Sequence, residues 1–166
     1  MNDFTTLDCL GLCKPSDEYY TPLEIVRSLG HFDLDPCAAP GWNTADVCYT
    51  KEDNGLSKHW NGRVWLNPPY SQPLLRFFLE EMAKHNNGIV LLFNRCDNMM
   101  FHNIIFPKAT AMKFLRHRIR FFRPDGTQAG SPSCGSVLIA FGMENAISLQ
   151  QCSLEGKFIW LNRTND

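Results

Sequence analysis

Ile89-Val90-Leu91-Leu92-Phe93 is apolar at every position. A strand of that composition belongs at the centre of a parallel sheet covered on both faces, and it demands helices above and below. The chain supplies them. Ser71 is placed to cap a helix with Pro73 in its first turn and a stripe of Leu74, Leu75, Phe78, Leu79 and Met82, ended by Asn87-Gly88. Further upstream, Thr21-Pro22-Leu23-Glu24 has the form of a capping box, with Thr21 at the N-cap and Pro22 at the first helical position. Leu23, Val26 and Leu29 share a face of that helix, and Gly30 stops it. His31–Asp35 and Val64–Leu66 read as strands, and a short helix over roughly 99–106 stops at Pro107. Ala109–Leu115 leads on through Arg116–Phe122, and with Val137–Gly142 it predicts an antiparallel hairpin closed by a long connection. The expected architecture is a compact three-layer α/β domain over 19–166, with a mostly parallel sheet and a C-terminal antiparallel hairpin, behind a flexible leader over 1–18.

The chain of 166 residues contains no apolar run near the roughly 20 residues of a membrane span. Met1–Thr6 has neither the basic nor the apolar region of a secretory signal, which predicts a cytoplasmic setting. With 12 Phe, 4 Trp and 4 Tyr the composition is that of a folded chain. Seven cysteines, an odd number, read as free thiols in a reducing compartment. Their one near pair, Cys9 and Cys13, is answered by no second pair, so no metal site is expected.

Charge is unevenly distributed. Residues 1–53 carry ten acids and three bases, residues 54–166 seven acids and thirteen bases, and Lys108–Arg123 holds six bases with no acid. Such a chain suits a cationic ligand in one region and a polyanion in the other, although an ordinary mixed surface also accounts for it. Read as a strand, 116–121 turns Arg116, Arg118 and Arg120 to one face and His117, Ile119 and Phe121 to the other. Guanidiniums at that spacing reach successive phosphates, and Lys113 and Arg123 extend the set. The alternative is a solvated edge whose charges block aggregation.

The sharpest chemical signal is Asn67-Pro68-Pro69-Tyr70, directly after the strand Val64-Trp65-Leu66. That position is the carboxyl end of a sheet strand, where open α/β folds bind ligands. Two prolines make a stiff turn, so the Asn67 side-chain oxygen and the Pro68 carbonyl become fixed acceptors suited to an amino group with two hydrogens. Tyr70 adds a face on which a planar base can stack. Arg95 and Asp97, just past the central strand, are placed at the same sheet edge.

These residues carry a resemblance. Asn-Pro-Pro-Tyr after a strand is the motif of amino-directed methyltransferases that use S-adenosylmethionine. Together with Thr21-Pro22, Phe32–Ala38, Glu52–Leu56, Arg63–Ser71 and Arg118–Phe121, it resembles the phage-type Dam family of DNA N-6-adenine methyltransferases over roughly 18–142. The resemblance implies a Rossmann-like class I methyltransferase sandwich without a separate target-recognition domain. It makes Asn67, Pro68, Pro69 and Tyr70 the catalytic segment. Asp35-Pro36-Cys37-Ala38 stands for the start of the cofactor loop, although Ala39 occupies a usual glycine position. Asp35 would neighbour the ammonium and sulfonium of the cofactor, or serve simply as a turn residue or cap. Asp53, or Glu52, is the carboxylate available for the adenosine part, or a surface turn acid. Thr21 and Pro22 match the family's substrate- or cofactor-facing pair, and the capping box explains them equally well.

The implied activity is methylation of the exocyclic amino group of adenine in duplex DNA in a bacterial host cell, with the target base flipped out. The same chemistry on RNA or protein glutamine is the alternative enzyme, and a degraded methyltransferase-like fold that binds nucleic acid is the non-enzymatic one. The basic stretch favours a nucleic acid substrate over a protein one.

Overall fold

A computed structural model describes residues 18–162. The expected leader over 1–18, Glu18 apart, and the pair Cys9 and Cys13 lie outside the described residues. Helix α1 is Leu23–Ser28, followed by strands β1 (Leu34–Asp35), β2 (Val47–Cys48) and β3 (Val64–Leu66), with a 3-10 turn at Gly55–Ser57. Helix α2 (Leu74–His85), strand β4 (Gly88–Phe93), a π-helical turn (Phe101–Ile105), α3 (Phe106–Lys108) and β5 (Ala111–Leu115) come next. Strand β6 (Ser136–Phe141), helix α4 (Met143–Gln151) and strand β7 (Gly156–Trp160) complete the described elements.

One sheet of seven strands runs in the order β2-β1-β3-β4-β6-β5-β7. β2, β1, β3 and β4 are mutually parallel, whereas β4/β6, β6/β5 and β5/β7 are antiparallel. The sheet is thus mixed. β4 and β5 point the same way but are not neighbours, because β6 returns between them, opposing Gly88–Phe93 residue for residue. The chain then adds α4 and β7, an amphipathic helix and an edge strand that sequence patterning did not single out.

Side-chain alternation along the strands sorts the core into two layers. Val64, Leu66, Val90, Leu92 and Ile139 meet α2 through Leu74, Phe78, Leu79 and Met82. Trp65, Ile89, Leu91 and Leu138 meet α1 and α4 through Val26, Leu29, Ala146 and Leu149. The fully apolar β4 is therefore covered on both sides, with helices on each face of the sheet.

Three local readings are corrected. Helix α1 starts after Pro22, which occupies the N-cap with no side-chain cap, so the capping box does not form and Thr21 is committed elsewhere. Pro107 does not stop a helix but lies in the first turn of α3, where a missing N–H costs nothing. Strand β5 ends at Leu115, and residues beyond it leave the sheet to cover the α1 side, burying Ile119 and Phe121 at 4% exposure each.

Candidate active site

The carboxyl ends of β1, β2 and β3, with the segment ahead of α1, enclose a cavity of about 270 Å3. Its wall comes from residues within four stretches, 18–21, 35–44, 50–55 and 67–69, not every one of which faces the cavity, joined by Trp65, Leu74 and Phe78. Neighbouring parallel strands end at one sheet edge, so their following loops converge there. Gly55 lets two of them touch, since a Cβ at that position would overlap the Pro36 carbonyl.

Asp35, at the end of β1, is 3% exposed and lines the cavity. One carboxylate oxygen accepts the Cys37 N–H at 2.9 Å and the other accepts the Thr44 hydroxyl. Burial raises its carboxyl to about 6, against the opposing pull of the Thr44 and Cys37 hydrogen bonds. Pro36, Cys37 and Ala38, with Ala39 and Pro40, continue the wall as the cofactor-loop reading requires. The loop is pinned by Trp42, whose ring packs against Tyr20 and Phe122 at 5.6 and 5.4 Å and whose indole N–H donates to the Thr21 carbonyl at 2.7 Å.

Asn67 follows β3 and reaches the same cavity with Pro69. Its amide nitrogen donates to the Tyr19 carbonyl at 2.9 Å and to the Thr21 hydroxyl at 3.2 Å. Both hydrogens are thereby spoken for, and Oδ1 is the end left to accept. Pro68 is buried and does not line the cavity. Nor does Tyr70: its ring stacks on Phe93 at 4.7 Å, and its hydroxyl accepts the Phe93 N–H at 2.8 Å. Burial pushes the Tyr70 phenol well above its usual range. Tyr70 thus braces the turn against β4, and the aromatic rings on the cavity wall are Tyr19, Tyr20 and Trp42.

Other expected residues fall elsewhere. Asp53 lies outside the cavity wall, its carboxylate held by the Thr50 N–H and hydroxyl at 2.8 Å each, and these bonds hold its carboxyl below the usual range. Glu52 and Asn54 line the cavity in its place. Pro22 borders a second cavity of about 220 Å3 beside His117, Arg118 and Arg120. Arg95 and Asp97 line neither cavity.

Lys113 is not a surface contact. Strand β5 is internal to the sheet, and alternation turns Lys113 with Ala111 toward α4. At 5% exposure its ammonium donates to the carbonyls of Leu149 and Cys152 and to the Cys152 thiol, each at 3.3 Å. Arg118 and Arg120 are exposed with Ile119 and Phe121 turned inward, so the expected alternation holds over 118–121 without a regular strand, but not at His117, which is exposed and faces Glu155 together with Arg116. Arg116 pairs with Glu155 at 3.2 Å, Arg118 donates to the Pro132 carbonyl at 2.9 Å, and Arg123 is exposed beside Asp125.

Sequence reasoning did not single out Tyr19, Tyr20, Trp42 or Thr44 as site residues. The aromatic Trp42 next to the Pro40-Gly41 turn was a usable signal, and nothing local marks Thr44. Outside the site, exposed His31, Asp33 and Asp46 bring ligand atoms within 4.8 Å of one another, with His31 at 3.0 Å from Asp46. No helix among the described residues is long and apolar enough to cross a membrane.

A cavity at the ends of parallel strands, walled by a buried carboxylate, an oriented amide and several aromatic rings, is the form that ligand sites take in α/β folds. The chain belongs to the DNA N-6-adenine-methyltransferase (Dam) family, whose model matches residues 12–153. It is similar to the DNA N-6-adenine-methyltransferase of Escherichia phage T1, 38% identical over 84 residues, covering 46% of this chain and 35% of that protein. It is also similar to the DNA N-6-adenine-methyltransferase of Haemophilus phage HP1 (strain HP1c1), 42% identical over 67 residues and 38% of each chain. The chain thus spans little more than a third of the length of these curated relatives. No solved structure matches it.

Proposed function

We propose that this protein methylates the exocyclic amino group of adenine in DNA, using S-adenosylmethionine, in the cytoplasm of a bacterial host cell. The single observation that carries the reading is Asn67: its amide hydrogens are committed to Tyr19 and Thr21, which leaves an acceptor oxygen on a residue lining the same cavity as the buried carboxylate of Asp35. Family membership supplies the chemistry to which that geometry is fitted. We read the layered sheet as a compact class I methyltransferase sandwich over 19–166, with β6 as the inserted antiparallel strand.

The cavity suits the methyl donor. Asp35, Glu52 and Glu18 set three carboxylates against one ammonium, Lys51, which favours a ligand carrying ammonium and sulfonium charge. Pro40 and Trp42 offer apolar surface for a planar ring. When bound, S-adenosylmethionine supplies an electrophilic methyl group.

An exocyclic amino nitrogen is a weak nucleophile because its lone pair is delocalised into the ring. Asn67 Oδ1 accepts one of its hydrogens and favours the pyramidal nitrogen of the transition state, an effect of a preorganised dipole, while Pro68, buried behind the cavity wall, serves the turn. Pro69 stiffens the turn, and Tyr70 locks it to β4. The amino proton is lost to solvent after methylation has made the nitrogen acidic, so no histidine or cysteine base is required. A duplex adenine reaches the cavity only when flipped out, at a cost of a few kcal/mol that stacking offsets in part. Tyr19, 39% exposed on the wall, offers an aromatic face for that purpose. Exposed Arg118 and Arg120, with Arg116 and Arg123 flanking, hold phosphates.

The test is incubation with labelled S-adenosylmethionine and separate pools of duplex DNA, RNA and protein. Label in DNA adenine is the expected result. Label in RNA adenine or in protein glutamine transfers the same chemistry to another substrate, and cofactor binding without transfer to any pool overturns the enzymatic reading.

A further inference from the structure

An asparagine side chain has a donor end and an acceptor end of nearly the same shape, and its hydrogen-bond network decides which end faces a ligand. The choice at residue 67 matters, because an oxygen turned to the cavity holds an amino group and an NH2 turned to it holds a carbonyl. Nothing in the Asn67-Pro68-Pro69-Tyr70 turn settles this. The Tyr19 carbonyl in the segment ahead of α1 does, and the Thr21 hydroxyl, able to donate or accept, then takes the second amide hydrogen. The Tyr19 carbonyl lies 2.9 Å from Nδ2 and the Thr21 hydroxyl 3.2 Å from it. The Tyr19 carbonyl has no hydrogen to give, so a reversed amide would set two acceptors against each other. Thr21 is itself fixed: it is 2% exposed, its carbonyl receives the Trp42 indole N–H at 2.7 Å, and it makes no helix cap that would compete for its hydroxyl.

We propose that Thr21 is a positioning residue that holds the second amide hydrogen of Asn67 in the orientation the Tyr19 carbonyl dictates, and so supports selection of bases bearing an exocyclic amino group over bases bearing a carbonyl there. The inference rests on the functional reading above and assigns Thr21 to the reacting turn rather than to cofactor binding or helix capping. Thr21 lies on the cavity wall and acts through Asn67, to whose amide its hydroxyl is bonded. The same geometry disfavours a carboxylate at position 67, which would confront the Tyr19 carbonyl with no hydrogen between them.

The test uses Thr21→Val, which keeps the shape and removes the hydroxyl, and Thr21→Ser, which keeps the hydroxyl. In the ligand-free protein, NMR exchange of the Asn67 side-chain NH2, assigned by its loss in Asn67→Ala, is expected to be slow in wild type and Thr21→Ser and faster in Thr21→Val. In methyl transfer, Thr21→Val is expected to lower kcat about tenfold with cofactor KM nearly unchanged, and Thr21→Ser to stay within about threefold of wild type. Equal exchange in wild type and Thr21→Val, wild-type kcat in Thr21→Val, or an equal fall in both variants overturns the proposal. Slow amide exchange in a wild-type protein that methylates no adenine overturns the functional reading instead and leaves the orientation of Asn67 supported.

Discussion

Burial sets Asp35 against itself in the ligand-free protein. With its carboxyl raised from 3.8 to about 6, the folded state binds the proton more tightly than the unfolded chain does. The contribution of Asp35 to stability is therefore greatest below pH 4 and is lost as pH rises from about 4 to 6, and at neutral pH its ionised carboxylate costs the fold roughly 3 kcal/mol. A cationic ligand needs the ionised form, so its affinity runs the other way. Cofactor binding measured by calorimetry is expected to be flat above pH 7 and to weaken up to about tenfold per unit below 6. Asp35→Asn keeps the shape, with its oxygen able to accept the Cys37 N–H and its NH2 able to donate to the Thr44 hydroxyl oxygen. At pH 8 that variant is expected to melt no lower than wild type while losing at least about tenfold in cofactor affinity. Asn67→Ala separates the other half of the site: turnover should fall about a hundredfold or more, with cofactor affinity within about twofold of wild type.

At the scale of the element, Lys113 shows how a basic residue in a basic stretch is claimed by the fold. Its ammonium satisfies carbonyls at the C-terminal end of α4, where a cation is favoured by the helix dipole. Lys113→Met would leave the Leu149 and Cys152 carbonyls without that donor and is expected to cost about 1–3 kcal/mol in chemical denaturation. The salt dependence of DNA binding should not change. Sequence alone could not see this, because burial of β5 depends on β7 pairing beyond it, and Gly156–Trp160 carries no alternation strong enough to announce an edge strand. Local patterns were legible where one element decided them: the apolar run of β4, the stripe of α2, the carboxylate ending β1, and the turn after β3. What stayed hidden was long-range. Thr21 reads as a cap until Asn67, 46 residues away, takes its hydroxyl, and Tyr70 reads as a base platform until Phe93 covers its ring.

Across the whole molecule, the acidic first third builds most of the cavity wall and the basic middle lies beside it. Arg118 and Arg120 stand on an irregular segment whose alternate residues, Ile119 and Phe121, are buried in the core on the α1 side, so the guanidiniums are carried on a fixed base. Each phosphate contact contributes about 0.9 to the salt slope of binding. Replacing both arginines by alanine should reduce the slope of log K against log salt by about 2, measured by titration of duplex DNA, with cofactor affinity untouched.

Tyr20 and Phe122 exchange two backbone hydrogen bonds of 2.9 Å each. That short seam ties the chain just past the arginines to the strip that steers the Asn67 amide. On the proposed function, grip on the polymer and aim at the nucleobase would be joined through this seam: a duplex seated out of step along the arginines would pull on the aiming strip as well, and discrimination would begin before any base leaves the stack.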